Sequence, residues 1–461
     1  MEENKNRQTE MKKEGSTAFA WFHASSVNGT VMWMGAVVAS YFSVHLTDDL
    51  KLPAASASLI MLIASLWDAI NDPVMGVIAD RTKTKWGRYR PYFAIAPILI
   101  TLFGVLIWVN PGFTGNALFL YVLLTYIGWG MTTTMYTMPQ FAVLPAVVRD
   151  TQRRNAIIAM GAGCCAVAFT MGNTFTPNIT AFLSNLGFEN PYVPYMLVLG
   201  GLSFVSFWGL FATAKEKYLT PIQKENPFRS IAIVLKHKEV YPNIIAWLMA
   251  SMGYGMMFST SVYYMMYYYA RPDLITIYMG VISVAALISM SVLMPIFLKV
   301  FKTGQKALVV SQVSSIVTYI ILFFFGKSNF AFLCVMTFIS SALASMQNAL
   351  VNVLVNDCID FVQFKDGISA NGVISSIKGF SQKCGSTVVS SGILAILSLS
   401  GYVPGAVGQQ NDTTMFALNF LKFGLPCITG VILILCVAFN PFAKYYDQID
   451  EMKKNMKGID E

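Results

Sequence analysis

The sequence predicts an all-α membrane protein of twelve transmembrane helices arranged as two six-helix bundles, and three observations lead there. Of 461 residues, 55% are hydrophobic and only 12% charged, whereas soluble domains carry about 25% charged residues. Apolar runs of about 20 residues, the length needed to cross a ~30 Å hydrocarbon core, recur along the whole chain. The longest basic connection, 214–239, follows the sixth such run and divides the chain in half.

In the first half the runs fall at 27–46, 55–79, 91–109, 117–147, 156–184 and 193–213. The first opens after the charged stretch Met1 to Gly15 and closes at Thr47-Asp48. The second fills Ala54 to Ala79, and the third opens at Pro91. The second half gives 240–268, 275–300, 306–326, 329–355, 371–399 and 416–439. Several exceed the minimum length, which implies tilted or bent helices. The domain plan is therefore an N-terminal bundle over 1–213, a cytoplasmic linker over 214–239, a C-terminal bundle over 240–440 and a cytoplasmic tail over 441–461. Basic residues gather in one set of loops: Arg81 to Arg90, Arg149 to Arg154, Lys215 to Lys238 and Lys299 to Lys306. The opposite set holds only Lys51, Arg271 and Lys327. The positive-inside rule then places both termini in the cytoplasm of a multi-pass plasma-membrane protein. The amphipathic piece 228–238 reads equally as a surface-lying helix or a solvated linker. A faint internal repeat shows in the basic, glycine-containing loops after the second and eighth runs.

Several function classes drop out. No small-residue cleavage site follows an apolar core near the start, so no cleavable signal peptide is expected. The cysteines at 164, 165, 334, 358, 384, 427 and 436 lack metal spacing and read as small buried hydrophobes. His23, His45 and His237 are too dispersed for zinc. The net charge of +8 is confined to short loops, so topology explains it better than a nucleic-acid partner. Nothing resembles a nucleophile–base set or a phosphate loop, and no enzyme or cofactor is expected. Membrane lipid is the expected surroundings of a monomer.

The anomaly lies in the second run: Trp67-Asp68-Ala69-Ile70-Asn71-Asp72-Pro73. A carboxylate in the bilayer interior costs at least about 2.5 kcal/mol. Asp68 and Asp72 share one helix face, and at ~5.5 Å two ionised carboxylates repel by about 3 kcal/mol at an effective dielectric near 20. Such a pair calls for a cation, a proton or a neighbouring base. A structural pair neutralised by protonation or a salt bridge is the competing reading.

The next loop reads Gly76-Val77-Ile78-Ala79-Asp80-Arg81 and then Gly87-Arg88-Tyr89-Arg90-Pro91. It resembles the cytoplasmic loop signature of the major facilitator superfamily. Gly76 suits close helix approach, and Asp80, Arg81, Arg88 and Arg90 suit a cytoplasmic gate whose charges pair in one state; a purely topogenic cluster is the alternative. The longer stretch Trp67 to Pro91 is similar to the glycoside–pentoside–hexuronide:cation symporter family, of which melibiose permease is the type. Further matches are Thr47-Asp48, Gly130-Met131-Thr132 with Met138-Pro139, Asp357-Cys358-Ile359-Asp360-Phe361 with Lys365, and Ser375 to Ser386. Together they cover about 25–440.

The resemblance implies the major facilitator fold and a cation held by Asp68, Asn71, Asp72 and Thr134. Hard cations take oxygen ligands, and Asn71 and Thr134 add neutral oxygens a proton does not need, so sodium is expected, with lithium or a proton as alternatives. Lys383 matches a family lysine near the cation and sugar sites and is expected to act in coupling; Lys378 either snorkels or pairs with acids. The sugar side departs from the pattern. Met32 and Thr137 stand where the family type has aspartates, Ala162 falls at an arginine position, and Phe141 replaces tryptophan. Gln140, Gln347, Asn348 and Asn352 remain as neutral hydrogen-bonding candidates, with Trp33 or Phe141 as a stacking face. The expected activity is cation-coupled symport of a sugar or glycoside by alternating access. The alternatives are a non-sugar solute on the same fold, or a membrane sensor that does not transport. Tyr263, Tyr264, Tyr267, Tyr268 and Tyr269 read first as an interfacial belt, with an exterior-facing sugar gate as the runner-up, and Lys422 as a snorkelling residue.

Overall fold

The computed structural model describes residues 15–218, 234–301, 304–366 and 371–440, with the single positions 442, 445 and 448. Helices make up nearly all of it. The β structure among the described residues is one isolated bridge, Thr84 to Gly87. In chain order the helices are α1 (Thr17–Asp49), α2 (Ala54–Arg81), α3 (Arg90–Leu106), α4 (Gly115–Val147), α5 (Thr151–Thr174, resumed as Thr176–Asn185) and α6 (Tyr192–Thr213). They continue as α7 (Tyr241–Tyr263), α8 (Pro272–Ile288, extended to Phe301), α9 (Gly304–Phe325), α10 (Phe330–Leu350, resumed as Val353–Asp366), α11 (Asn371–Leu399) and α12 (Asp412–Ala438). Among the described residues eight stretches are long and apolar enough to cross a membrane, in α1, α2, α4, α5, α6, α9, α10 and α12. Arg90–Leu106 and Pro272–Ile288 are apolar but shorter, and the 23-residue α7 and 29-residue α11 carry more polar side chains.

Contacts divide the chain into two units, Met1–Gln223 with Ile275–Gly280, and Lys224–Leu274 with Val281–Glu461. In the first unit α1 packs on α5 and α6, α2 on α4, and α3 on α4 and α6. In the second, α7 packs on α11 and α12, α8 on α10 through Ser289–Leu293, and α9 on α10 and α12. The pairing in one unit maps onto the other by adding six to each helix number. The ends of α1 and α7 repeat in atomic detail. Each closes in a π-helical turn, His45–Asp49 and Tyr264–Tyr268. Leu50 N–H donates to the His45 carbonyl and Leu52 N–H to that of Leu46; Tyr269 and Arg271 donate in the same register to Tyr264 and Met265. Lys51 (φ 54°) and Ala270 (φ 57°) then take the left-handed conformation that reverses the chain. The sequence trace of a repeat was the pair of basic loops; the backbone shows a stronger one here.

Several expectations need correction. α1 begins at Thr17, ahead of 27, because Ser16 caps Phe19 N–H and Phe19 is fully buried. The expected fifth and tenth spans are each interrupted, with Pro177 opening the second piece of α5. Three of the five tyrosines expected as a belt are buried: Tyr263, Tyr264 and Tyr267 are at most 1% exposed, while Tyr268 and Tyr269 are partly exposed. The buried three pack against Tyr402 and Phe423, and the Tyr267 hydroxyl accepts from Gly405 N–H at 3.0 Å. Of the expected amphipathic piece 228–238, residues up to 233 lie outside the described ones; Val234 is fully buried.

The start of the linker is fastened to the first unit. The Glu216 carboxylate accepts the N–H groups of Arg88, Tyr89 and Arg90, at 2.7, 2.8 and 2.9 Å, at the N-terminus of α3. Three convergent amides at a helix start are a natural anion cradle. Gly87 stands beside it at φ 121°, where a Cβ would lie 2.9 Å from the carboxylate. Lys217 and Tyr218 N–H both donate to the Ala146 carbonyl at the end of α4.

Two outcomes are expected. Lys51→Gly and Ala270→Gly each relieve a left-handed side chain and raise stability by about 1 kcal/mol, read as a higher unfolding midpoint in detergent; a fall in both would contradict the cap geometry. Glu216→Gln removes charge-assisted bonds and lowers stability by about 1 kcal/mol, and Gly87→Ala acts in the same direction by displacing the carboxylate. An unchanged midpoint in both would contradict the clasp.

Candidate functional site

The site is built where α2 lies along α4. α2 is helical through Trp67–Pro73, so Asp68 and Asp72 stand one turn apart on a continuous helix. Pro73 has no N–H, which leaves the carbonyl four residues back without its helix partner beside the two acids. α4 supplies the opposing surface with Gly130, Thr133 and Thr134. The Thr134 hydroxyl donates to Asp72 Oδ1 at 2.7 Å. Its contact with the Gly130 carbonyl is longer, 3.3 Å, so its single hydrogen serves the aspartate. Thr133 donates to the same Gly130 carbonyl at 2.7 Å.

Gly130 is what allows Asp68 in. A Cβ at that position would lie 2.4 Å from Asp68 Oδ1 and 3.0 Å from its Cγ. The carboxylate therefore rests directly on the α4 backbone, and no other residue type leaves the room. Asn71 is 6% exposed, and its Nδ2 has no hydrogen-bond partner among the described residues. Thr134 is 5% exposed. Two carboxylates, a hydroxyl oxygen and a buried amide with an unmatched polar end thus share one stretch of helix contact. That donor set suits a hard monovalent cation, which takes oxygen ligands. No cluster of three or more His, Cys, Asp or Glu capable of holding a metal occurs among the described residues.

The other sequence candidates are divided between the two units. Lys383 is exposed on α11 of the second unit and its carbonyl accepts from Ser386 and Thr387. Lys378 donates to Asn352 Oδ1. Met32 is half-buried at the start of the α-helical part of α1. The Thr137 hydroxyl donates to the Thr133 carbonyl at 2.6 Å. Phe141 is 69% exposed. Gln140 Nε2 donates to the His23 carbonyl, and the His23 ring meets the Gln140 carbonyl at 3.2 Å, a reciprocal lock between α4 and α1. Trp33 Nε1 donates to the Tyr195 hydroxyl at 2.7 Å. Gln347 is 4% exposed. The side chains of Asn348 and Asp80 lie outside the described residues.

The loop expected as a gate is fastened inside the first unit. Arg90 Nε donates to the Phe211 carbonyl, and its guanidinium lies 4.8 Å from the Phe211 ring centre. Arg88 lies over Tyr89, and Arg81 is exposed. Around Gly76 no described atom comes within 4 Å of a would-be Cβ, so the close approach expected of that glycine belongs instead to Gly130.

Comparison with known proteins agrees with this architecture. The chain matches the family described as MFS/sugar transport protein over residues 25–444. It is 24% identical over 408 residues to the isoprimeverose transporter of Lactiplantibacillus pentosus, covering 85% of this chain and 84% of that one. It is 22% identical over 442 residues to the glucuronide carrier protein homolog of Escherichia coli K12, covering 93% of each. The putative sulfoquinovose importer of Salmonella typhimurium is 23% identical over 429 residues, covering 88% and 87%. In fold, it superposes on a bacterial homolog of the human lysosomal transporter Spinster with a TM-score of 0.68 at 14% identity, covering 93% of this chain and 97% of that one. The nucleoside transporter NupG gives 0.60 at 14% identity, covering 91% and 98%. Two carboxylates set in an apolar helix, a twice-repeated helix pairing and a match across nearly the whole chain converge on one conclusion: this protein is a multi-pass membrane transporter of the MFS/sugar transport family.

Proposed function

We propose that the protein is a cation-coupled symporter, with sodium as the coupling ion and a sugar or glycoside as the cargo, working by alternating access across the cell membrane with both termini in the cytoplasm. The observation that carries the coupling is the α2–α4 contact, where Asp72 is bonded to Thr134 and Asp68 rests on Gly130. Sodium entering there replaces the repulsion of two carboxylates with two attractions and turns Thr134 Oγ1 from a donor to Asp72 into a ligand. Rotation of the Asn71 amide brings its oxygen to the same place. Lithium, a hard cation like sodium, takes the same oxygens, whereas a proton satisfies the acids without the neutral ones. The twelve helices α1–α12 serve as the spans, α7 and α11 being the more polar ones. Linkage makes coupling reciprocal: if sodium tightens cargo binding, cargo tightens sodium binding by the same factor. Lys383 takes part in coupling, and transport rather than catalysis is the activity. Transport proceeds as a monomer in membrane lipid.

For the cargo, the relatives named for isoprimeverose, a glucuronide and sulfoquinovose point to the glycoside class without selecting a member. One observation favours a second reading, a less hydroxyl-rich solute. Met32 has no polar group, and the Thr137 hydroxyl is already bonded to its own helix.

Uptake into proteoliposomes of a panel of glycosides, uronides and lipid-like solutes, with and without an inward sodium gradient, tests this directly. One class is expected to accumulate, dependent on the gradient, and Asp72→Cys to abolish that dependence. Wild-type uptake indifferent to sodium, or a fully sodium-dependent Asp72→Cys, would sink the assignment. Thr134→Val loses one oxygen ligand and is expected to raise the sodium concentration for half-maximal uptake by roughly tenfold; an unshifted curve would remove Thr134 from the site.

A further inference from the structure

The surroundings of Lys422 reverse the sequence expectation. A snorkelling lysine keeps its ammonium in water, yet Lys422 is 4% exposed inside the second unit. Its Nζ donates to the Met257 carbonyl at 2.9 Å and to the Ser261 hydroxyl, both on α7. Ser261 Oγ in turn donates to that same Met257 carbonyl at 2.6 Å. One turn of α7 thus carries the ammonium of α12 on two neutral oxygens.

The backbone on both sides is distorted at this point. Lys422 lies in the π-helical stretch Phe420–Gly424 of α12. α7 runs into its own π-helical stretch, Tyr264–Tyr268, directly after Tyr263. The two stretches touch, Phe423 meeting Tyr264 edge-on with ring centres 5.2 Å apart. A π turn inside an α-helix is a strained, functionally common feature and a natural place for a helix to flex.

The sequence shows what kind of charge balance is available. α7, α9, α10 and α11 contain no Asp or Glu within Tyr241–Tyr263, Gly304–Phe325, Phe330–Leu350 and Asn371–Leu399, and α12 has only Asp412, at its first position. The titratable groups on these packed helices near this level are Tyr263 and Tyr264 of α7, Tyr319 of α9, and Cys427 of α12 itself, all neutral in their ordinary state. On α11 the charged groups are Lys378 and Lys383, of the same sign as Lys422. Taking an ammonium out of water is costly, and carbonyl and hydroxyl dipoles offset part of that cost. Charge-assisted bonds are about twice as strong as neutral ones, so the grip on α7 depends on whether the proton is there.

We propose that Lys422 is a proton-binding site of the second unit, separate from the carboxylate pair of the first, and that its proton ties the end of α7 to α12. With the proton bound, the Met257–Ser261 turn and the π stretch beyond it are held to α12. When the amine gives up its proton to water, the tie weakens and the end of α7 moves independently. This gives the transporter a pH response that does not pass through the coupling ion.

The test needs no substrate. Hydrogen–deuterium exchange over 257–268 is followed in the purified full chain in lipid nanodiscs between about pH 6 and about pH 9, after correction for intrinsic exchange. Wild-type protein is expected to lose protection there by at least roughly threefold as pH rises, while helices of the first unit do not change. Lys422→Arg, which keeps its charge throughout, is expected to stay protected at every pH. Ser261→Ala, which removes one acceptor and leaves the lysine in place, is expected to be less protected at low pH. The proposal is overturned if wild type and Lys422→Arg behave alike at each pH, or if Ser261→Ala leaves protection at low pH unchanged. Failure of the sodium assignment would leave these exchange results as they are.

Discussion

In hydrocarbon, a carboxylate must be answered by another helix or by an ion, and the contact of α2 with α4 is where this chain meets that demand. Asp72 takes the Thr134 hydroxyl, and Asp68 is pressed against Gly130, where a methyl group would not fit. The requirement sets other features in turn. α4 must carry a glycine and threonines in register with the two acids, and α2 must run as one helix through Pro73 to keep them a turn apart. α3 is held by α4 and α6, and its start is fixed by Glu216, so the frame behind the site is anchored from the linker side.

The two units solve the membrane problem with the same backbone and opposite charge. Their helix pairings repeat, and so do the left-handed caps at Lys51 and Ala270. The intramembrane charges do not repeat. In the first half the charged residues set inward of the span ends are Asp68 and Asp72, and in the second half they are Lys378 and Lys383, with Lys422 near the start of its span. Duplicated backbones with divergent ionisable residues suit a transporter whose two halves carry different tasks. Within the second unit, Lys378 is taken up by Asn352 and Lys422 by α7.

Much of the fold was legible because hydrophobic length and loop charge are one-dimensional signals. The cation candidates were legible for the same reason: Asp68 and Asp72 interrupt an apolar run, and Thr134 came through the family resemblance. What stayed hidden depends on facing. Lys422 lies near the start of a span, where a lysine ordinarily reaches water, yet it sits buried within the π-helical stretch Phe420–Gly424. The tyrosines after Met257 have the composition of an interfacial belt, and their burial against Tyr402 depends on a loop far along the chain. Glu216 looks like any acid in a polar linker until three amides of a distant loop converge on it. Gly130 was visible as part of a motif, but its role as the space for Asp68 follows from helix register alone.

The central claim, that the α2–α4 contact is a sodium site, is tested most directly by isothermal titration of the purified protein with sodium chloride, using choline chloride as the control. The account predicts a single saturable binding event for sodium and none for choline. Dilution heats alone from sodium, in protein whose helical fold and monodispersity are intact, would contradict it.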